Sequence, residues 1–440
     1  MSKYKVSLVR YEKPGESVRK AVELVGGIDG LKTGDTVFIK PNIVFWSKNV
    51  VLPPWGVITT SRVMEDMVAL LKDAGAARVI IGEGTVVSDP KDTETAAHAH
   101  RSLGYHALAK RYGVEVVDVF QRPFVEVELE AGEKLSYNQD AVEADLVVTA
   151  PVMKTHAQTV VSLGLKNLKG LINIASRKRC HNADLTKNLT WWVSRLATPF
   201  KNVFSIIDGI YTAERGPSFD AKVHRSNLLV ASNDLLSGDL VGAHLLIQNP
   251  ALAPYLAMAA MNADRPADLS QIEVVGEKLA DLAKPHGYTF PYNEDGTLPA
   301  PMAKMGIEGL AYHKYDDTLC TYCSGINGLV LTAIAMAYKG QPFGNVEVLT
   351  GKRMSPSGTA EKSILLGKCM SAAHKDNPAI KEALAVAGCP PKNEKVVEAL
   401  HKAGVMVDPS LFENRDALLA MFMKRYEGRP EFDLNLFKVA

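Results

Sequence analysis

Apolar positions in the first 260 residues follow two alternating periods. Short β-branched runs, Thr36-Val37-Phe38-Ile39 and Ala77-Arg78-Val79-Ile80-Ile81, flank residues 61–74, where apolar side chains recur at helical spacing. This order predicts strand, crossover helix, strand, and hence an α/β fold with a doubly wound, mostly parallel sheet. Further strands are predicted at 114–119, 146–149, 203–207 and 227–231, with helices near 94–112, 184–196 and 238–248. Ligands of such sheets sit where strands end, so the loops that follow the strands are where chemistry is expected.

Residues 284–301 lose both periods and are rich in turn formers, among them Pro285, Gly287, Pro291, Asp295-Gly296, Pro299 and Pro301. They read as a linker between an α/β domain at 1–283 and a smaller α/β cysteine-bearing domain at 302–440. In the latter, helices are predicted at 322–338, 377–385, 394–403 and 414–426, and strands at 346–349 and 363–366. A chain of 440 residues calls for more than one core, since domains run to roughly 100–200 residues.

Charge narrows the function classes. Fifty Lys and Arg face 49 Asp and Glu, a net charge of +1, so the electrostatic footprint of a nucleic-acid binder is missing. No apolar run approaches the roughly 20 residues that span a bilayer, and residues 1–11 read as a short strand rather than a secretory leader. The expected location is the cytoplasm, where thiols stay reduced and clustered cysteines act as metal ligands or catalytic groups rather than disulfides.

Four of the five cysteines fall in the second domain: Cys320 and Cys323 in Leu-Cys-Thr-Tyr-Cys, Cys369 in Gly-Lys-Cys-Met, and Cys389 in Gly-Cys-Pro-Pro. A C-x-x-C pair aims two thiolates at one point from a single turn, and two further cysteines at the ends of separate strands can reach it. Four soft thiolates suit an iron-sulfur cluster, most simply [4Fe-4S], or zinc. The spacing lacks the second C-x-x-C of a compact zinc ribbon. A redox dithiol is the remaining functional reading, and buried apolar cysteines the structural one. Cys180, among Arg177, Lys178 and Arg179, reads as a spare surface thiol.

In the first domain Lys40-Pro41-Asn42 follows a predicted strand, and Lys154-Thr155-His156 follows the strand at 146–149. Lys166-Asn167-Leu168-Lys169-Gly170 and the run Arg177 to His181 come soon after. Such a density of cations and amides predicts an anion-binding cleft, in which His156 or His181 exchanges a proton near neutral pH. A solvated basic face is the structural alternative. Asp208-Gly209 and Glu214-Arg215-Gly216-Pro217 add carboxylates that hold a substrate hydroxyl, a cation or the cleft's own lysines. Asn233-Asp234 and Asp239 read as a helix entry, where capping of exposed N–H groups is the simplest role. Gly82-Glu83-Gly84 starts like a dinucleotide fingerprint but lacks its third glycine, so no NAD is expected.

Ile39-Lys40-Pro41-Asn42, Lys154-Thr155-His156, Leu165 to Gly170, His181, Ile207-Asp208-Gly209 and Gly216-Pro217 together resemble the signature blocks of domain-of-unknown-function family 362. Members of that family are often described as iron-sulfur cluster-binding proteins, and many carry a ferredoxin-type module. The resemblance implies a cluster without locating it, because this chain lacks the C-x-x-C-x-x-C run of that module.

The expected function is that of an iron-sulfur oxidoreductase. Lys40, Asn42, Lys166, Asn167, Lys169 and Glu214 would bind an anionic small molecule; His156, His181, Lys154 and Asp208 would act on it; and Cys320, Cys323, Cys369 and Cys389 would hold the metal. The alternatives are an electron-transfer or maturation partner without its own substrate, a cluster-dependent lyase or dehydratase with an open iron, and a zinc-stabilised binding protein. Expected partners are the anionic molecule, an electron-donor protein such as a ferredoxin, and a second copy in a homodimer. Nucleic acid and membrane are not expected.

Overall fold

Residues 3–85, 91–217 and 219–439 are described in a computed structural model of the chain. Its strands, in chain order, are β1 (Tyr4–Arg10), β2 (Thr36–Lys40), β3 (Arg78–Glu83), β4 (Glu115–Asp118), β5 (Phe124–Glu130), β6 (Glu133–Asn138), β7 (Leu146–Thr149), β8 (Val152–His156), β9 (Val160–Ser162), β10 (Val203–Gly216), β11 (Lys222–Ser232), β12 (Ile272–Gly276), β13 (Leu310–Tyr312), β14 (Val346–Leu349), β15 (Lys362–Leu366) and β16 (Ala383–Val386).

Two compact units result, one of residues 1–177, 190–289 and 420–440, the other of 178–189 and 290–419. The boundary at 289/290 falls within the linker expected at 284–301, while residues 420–440, expected in the second domain, cluster with unit 1. The two units therefore interleave along the chain, with a twelve-residue stretch from the middle of unit 1's sequence clustering with unit 2.

Unit 1 is built on a sheet in the order β12-β1-β11-β10-β7-β2-β3-β4. From β10 to β4 the neighbours run parallel, while β11 is antiparallel to both β1 and β10. The central strands are almost wholly apolar and buried, as parallel strands covered on both faces must be. The helix Ser61–Asp73 crosses between β2 and β3. The predicted helix at 94–112 is two helices, Thr93–Ser102 and Tyr105–Tyr112, because Gly104 takes a left-handed φ of 77° and turns the chain between them.

Other expectations need local correction. Lys154, Thr155 and His156 are not in a loop after β7; Pro151 breaks the chain and they form β8, paired with β9 and β10. Asp208 does not end a strand, since β10 continues through an irregularity between Gly209 and Tyr211 as far as Gly216. Residues 420–439 fold back on unit 1, where Trp55, Tyr426 and Phe432 pack with ring centroids 4.6–5.5 Å apart and Tyr211 Oη donates to Glu431 O.

Unit 2 holds a four-stranded, all-parallel sheet in the order β13-β14-β15-β16. The helix Thr321–Ala337 covers it with Ile326, Leu329, Val330, Ala333 and Ile334. Residues 383–386 form β16 rather than the end of a helix, because the buried lattice of β15 offers an edge that the Ala-Leu-Ala-Val run pairs with. Among the described residues no helix is long and apolar enough to cross a membrane.

Candidate functional site

Lys40, Glu83, Asp118 and Thr149 occupy the carboxyl ends of β2, β3, β4 and β7, four neighbouring parallel strands. Here the topology gathers side chains that the sequence keeps up to 127 residues apart. Lys40 Nζ donates to Glu83 Oε2 at 2.8 Å, to Asn167 Oδ1 at 2.9 Å and to the carbonyl of Pro41 at 2.6 Å. Asn167 Nδ2 in turn donates to Lys40 O and to Thr149 Oγ1, each at 3.0 Å. Asn42 links this group to the next cation: its Nδ2 donates to Asn167 Oδ1 at 3.1 Å, and its Oδ1 accepts from Lys154 Nζ at 2.6 Å.

Burial holds Lys40 below its ordinary pKa even with Glu83 opposing the shift. Lys154 is pushed down to about 7, first by burial and then by the charge of Lys40. Lys166 is held well below the usual lysine range by burial and by the charges of Lys169 and Lys154. It is half-buried, and among the described residues it has no ion pair or hydrogen bond to its ammonium. Arg177 adds a fifth charge, donating to Gly170 O at 2.7 Å and Ile172 O at 3.1 Å. Among the described residues Glu83 acts on Lys40 and Asp118 on Arg177.

Two residues that the sequence reading did not place here build the site. Asp239, fully buried, accepts from the backbone N–H groups of Gly164 at 2.7 Å and Leu165 at 2.8 Å. It therefore fixes the short helix Gly164–Asn167 that carries Lys166 and Asn167, a more distant task than capping its own helix. Glu83 belongs to the Gly82-Glu83-Gly84 segment, whose glycines are set by packing: a methyl on Gly84 would fall against Arg177 and 2.7 Å from Gly170 O. One on Gly170 would meet Lys40 Cε and lie 2.5 Å from Glu83 Oε1. The glycine of the Lys-Asn-Leu-Lys-Gly block is thus the residue that lets this loop close over the buried ion pair.

The remaining unit 1 candidates divide. His156 is buried, and its Nδ1 accepts from Gln158 N at 3.1 Å, which puts its proton on Nε2. Asp208 spends both carboxylate oxygens on backbone N–H groups, Thr60 at 2.7 Å and Ile210 at 3.0 Å. Glu214 pairs with His224 at 2.6 Å and Lys222 at 3.2 Å and accepts from Gly287 N at 3.2 Å. Burial alone would raise Glu214; these hydrogen bonds more than offset it and hold the carboxyl at about 2. Lys169 is half-buried beside Lys166.

In unit 2 each strand of the sheet is followed at its carboxyl end by a polar or sulfur-bearing loop. Cys320 and Cys323 follow β13, Lys352 follows β14, Cys369 follows β15 and Cys389 follows β16. Cys320 is the N-cap of the helix Thr321–Ala337, where the positive end of the helix dipole favours a thiolate. Its thiol is pushed down to about 5 by hydrogen bonding from Cys323, with the N–H groups of Cys323 and Tyr322 and the charge of Lys352 adding to this against burial. The Cys323 thiol is pushed up, chiefly because it shares its proton with Cys320, and the charges of Cys389 and Cys369 reach it as well.

Cys320, Cys389 and Cys369 thus each bear on the Cys323 thiol. A methyl on Gly367 would stand 3.2 Å from Cys323 Sγ, and Gly367 takes a φ of 99° that other residues resist. Among the described residues no three His, Cys, Asp or Glu side chains are gathered closely enough to ligate a single metal ion as they stand. The donor set of four thiols, two of them exposed, suits the soft-metal chemistry of an iron-sulfur cluster or zinc. His181 lies in this unit, with Nδ1 2.6 Å from the carbonyl oxygen of Asp317. Cys180 is fully buried, which corrects its reading as a surface thiol.

Residues 37–244 match the model of the family described as Domain of unknown function (DUF362), which bears out over that span the resemblance carried by the Lys40, Lys154 and Lys166 blocks. A thylakoid-associated protein of Synechocystis sp. is 26% identical over 245 residues, covering 55% of this chain and 72% of that protein. Among solved structures, the lactate racemase apoprotein from Thermoanaerobacterium thermosaccharolyticum aligns at 16% identity with a TM-score of 0.33, over 54% of this chain and 56% of its own. A Thermotoga maritima protein aligns at 11% identity and a TM-score of 0.26, over 58% and 60%. The chain thus spans less than two thirds of either solved structure.

Proposed function

We propose that this chain is a cytoplasmic iron-sulfur oxidoreductase that binds an anionic small molecule in unit 1. The observation that supports the cluster is that four cysteines follow the carboxyl ends of three strands of one parallel sheet, Cys323 and Cys369 on the helices that begin there. Cys320, Cys323, Cys369 and Cys389 would hold a [4Fe-4S] cluster, which when bound takes up and passes on single electrons.

The anion's place is among Lys154, Lys166 and Lys169. Lys40 is already neutralised by Glu83, so its part is to hold Asn167, which with Asn42 sets the position of Lys154. A small anion would relieve the mutual repulsion of the three lysines. Lys154, poised at about 7, can hand a proton to the bound molecule or take one from it, and His156, whose Nδ1 is held by Gln158 N, offers it a hydrogen bond from Nε2–H. Asp208 and Glu214 serve the scaffold through the backbone N–H groups and the His224 and Lys222 partners that engage them.

Equilibrium dialysis of the anaerobically purified chain against pyrophosphate and small dicarboxylates tests the binding half. Binding that falls at least tenfold in Lys154→Met and in Lys166→Met is expected. Equal binding in the wild type and both variants would remove the anion site. Turnover with reduced viologen as donor then separates an oxidoreductase from an electron carrier that binds no small molecule.

A further inference from the structure

A short stretch that unit 2 takes from the middle of unit 1's sequence brings a cation to the cysteine loops. Lys178 Nζ stands 4.8 Å from the ring centroid of Tyr322, the residue inside the Cys320-Thr-Tyr-Cys323 turn. That contact sets its ammonium at the Cys320–Cys323 turn.

The stretch is anchored by the loop after β14. Lys352 Nζ donates to the carbonyl of His181 and, at 3.4 Å, to that of Lys178. His181 Nδ1 meets Asp317 O, and Lys352 N donates to Thr318 Oγ1 at 2.8 Å, so residues 178–181, the approach to Cys320 and the loop after β14 form one network. Arg353 pairs with Asp316 and Asp317 in the same approach loop. These bonds hold the backbone from which Lys178 reaches the Tyr322 ring.

We propose that Lys178 and Lys352 are positioning cations of the cysteine site, which balance the negative charge of the thiolates and raise the reduction potential of the cluster they hold. The inference rests on the cluster reading given above. An iron-sulfur group gains negative charge when it takes up an electron, and cations beside its sulfurs stabilise that state; charge and hydrogen bonding near the sulfurs are among the means by which a protein sets the potential. Lys178 acts through its ammonium at the Cys320–Cys323 turn. Lys352 acts twice, through its charge on Cys320 and through the carbonyls that fix Lys178.

The test is a redox titration of the full-length, anaerobically purified chain followed by electron paramagnetic resonance, with iron and sulfide measured on every sample. Lys178→Met is expected to disfavour one-electron reduction about tenfold, a fall of ~59 mV. Lys178→Arg, which keeps the charge, is expected to stay near the wild type, and Lys352→Met to shift in the same direction as Lys178→Met. Loss of the cluster in Lys178→Met with retention in Lys178→Arg would support the same assignment. Wild type and Lys178→Met with equal cluster content and superimposable titrations would overturn it. A wild-type chain without iron and sulfide would overturn the cluster reading itself, a result that the metal analysis identifies before any potential is compared.

Discussion

The ammonium of Lys40 meets the carboxylate of Glu83 across 2.8 Å at the ends of two adjacent parallel strands, with 1% and 3% of their side chains exposed. A buried pair of this kind is costly to form and costlier to break, because removal of one partner strands the other's charge away from water. Lys40→Met and Glu83→Gln should each lower the unfolding free energy by about 3–5 kcal/mol. The double variant should lose clearly less than the sum of the two, as a denaturant-melt cycle would register. Additive losses would mean that the two groups do not act on each other.

Gly170 sits directly over that pair. Gly170→Ala should destabilise unit 1 by about 1–3 kcal/mol through overpacking and weaken anion binding with it. A Gly170→Ala variant with wild-type melting and affinity would show that the loop closes differently.

The Lys154 pKa of about 7 gives anion binding a pH dependence with a definite sign. The charged form predominates below pH 7, so affinity should be full there and fall as pH rises through about 7. Lys154→Met should flatten that profile. Stability should move the other way: the folded pKa lies below the unfolded one, so folding gains as pH rises from about 7 toward the usual lysine range. Calorimetric titration of pyrophosphate at several pH values, and melts over the same range, read the two trends.

Glu214 predicts the acid limb. Its folded value near 2 lies below the ordinary 4.5, so its stabilisation is complete above about pH 4.5 and is lost as pH falls toward 2. Glu214→Gln should cost about 1–2 kcal/mol at pH 7, after allowance for solvent screening through its more exposed partners Lys222 and His224, and little at pH 2. Melting both proteins from pH 7 to pH 2 would reveal the convergence.

Local chemistry was the legible part of the sequence. Lys40 and Asn42 stood out because they follow a strand, and the cysteines because their types and spacing have few other uses. Glu83 was passed over because Gly82 and Gly84 looked like a failed dinucleotide turn, whereas Phe38 and Arg177 are what exclude side chains there. Asp239 reads as a cap for the helix Leu235–Ile247, but it binds amides about 75 residues away, a partnership that no local pattern encodes. The stretch 178–189 runs into the helix expected at 184–196, and nothing in that pattern reveals that it clusters with the cysteine unit. Its one visible signal was the basic run itself, read as part of the anion cleft although Lys178 reaches the Tyr322 ring in the Cys320–Cys323 turn.

The most direct test of the account is iron, acid-labile sulfide and zinc analysis of the anaerobically purified chain beside Cys320→Ser, Cys323→Ser, Cys369→Ser and Cys389→Ser, with electron paramagnetic resonance before and after dithionite. The account predicts about four iron and four sulfide per wild-type chain, a signal that appears on reduction, and loss of iron in each variant. A colourless chain that holds zinc and no sulfide, or one whose iron is unchanged by all four substitutions, would contradict it.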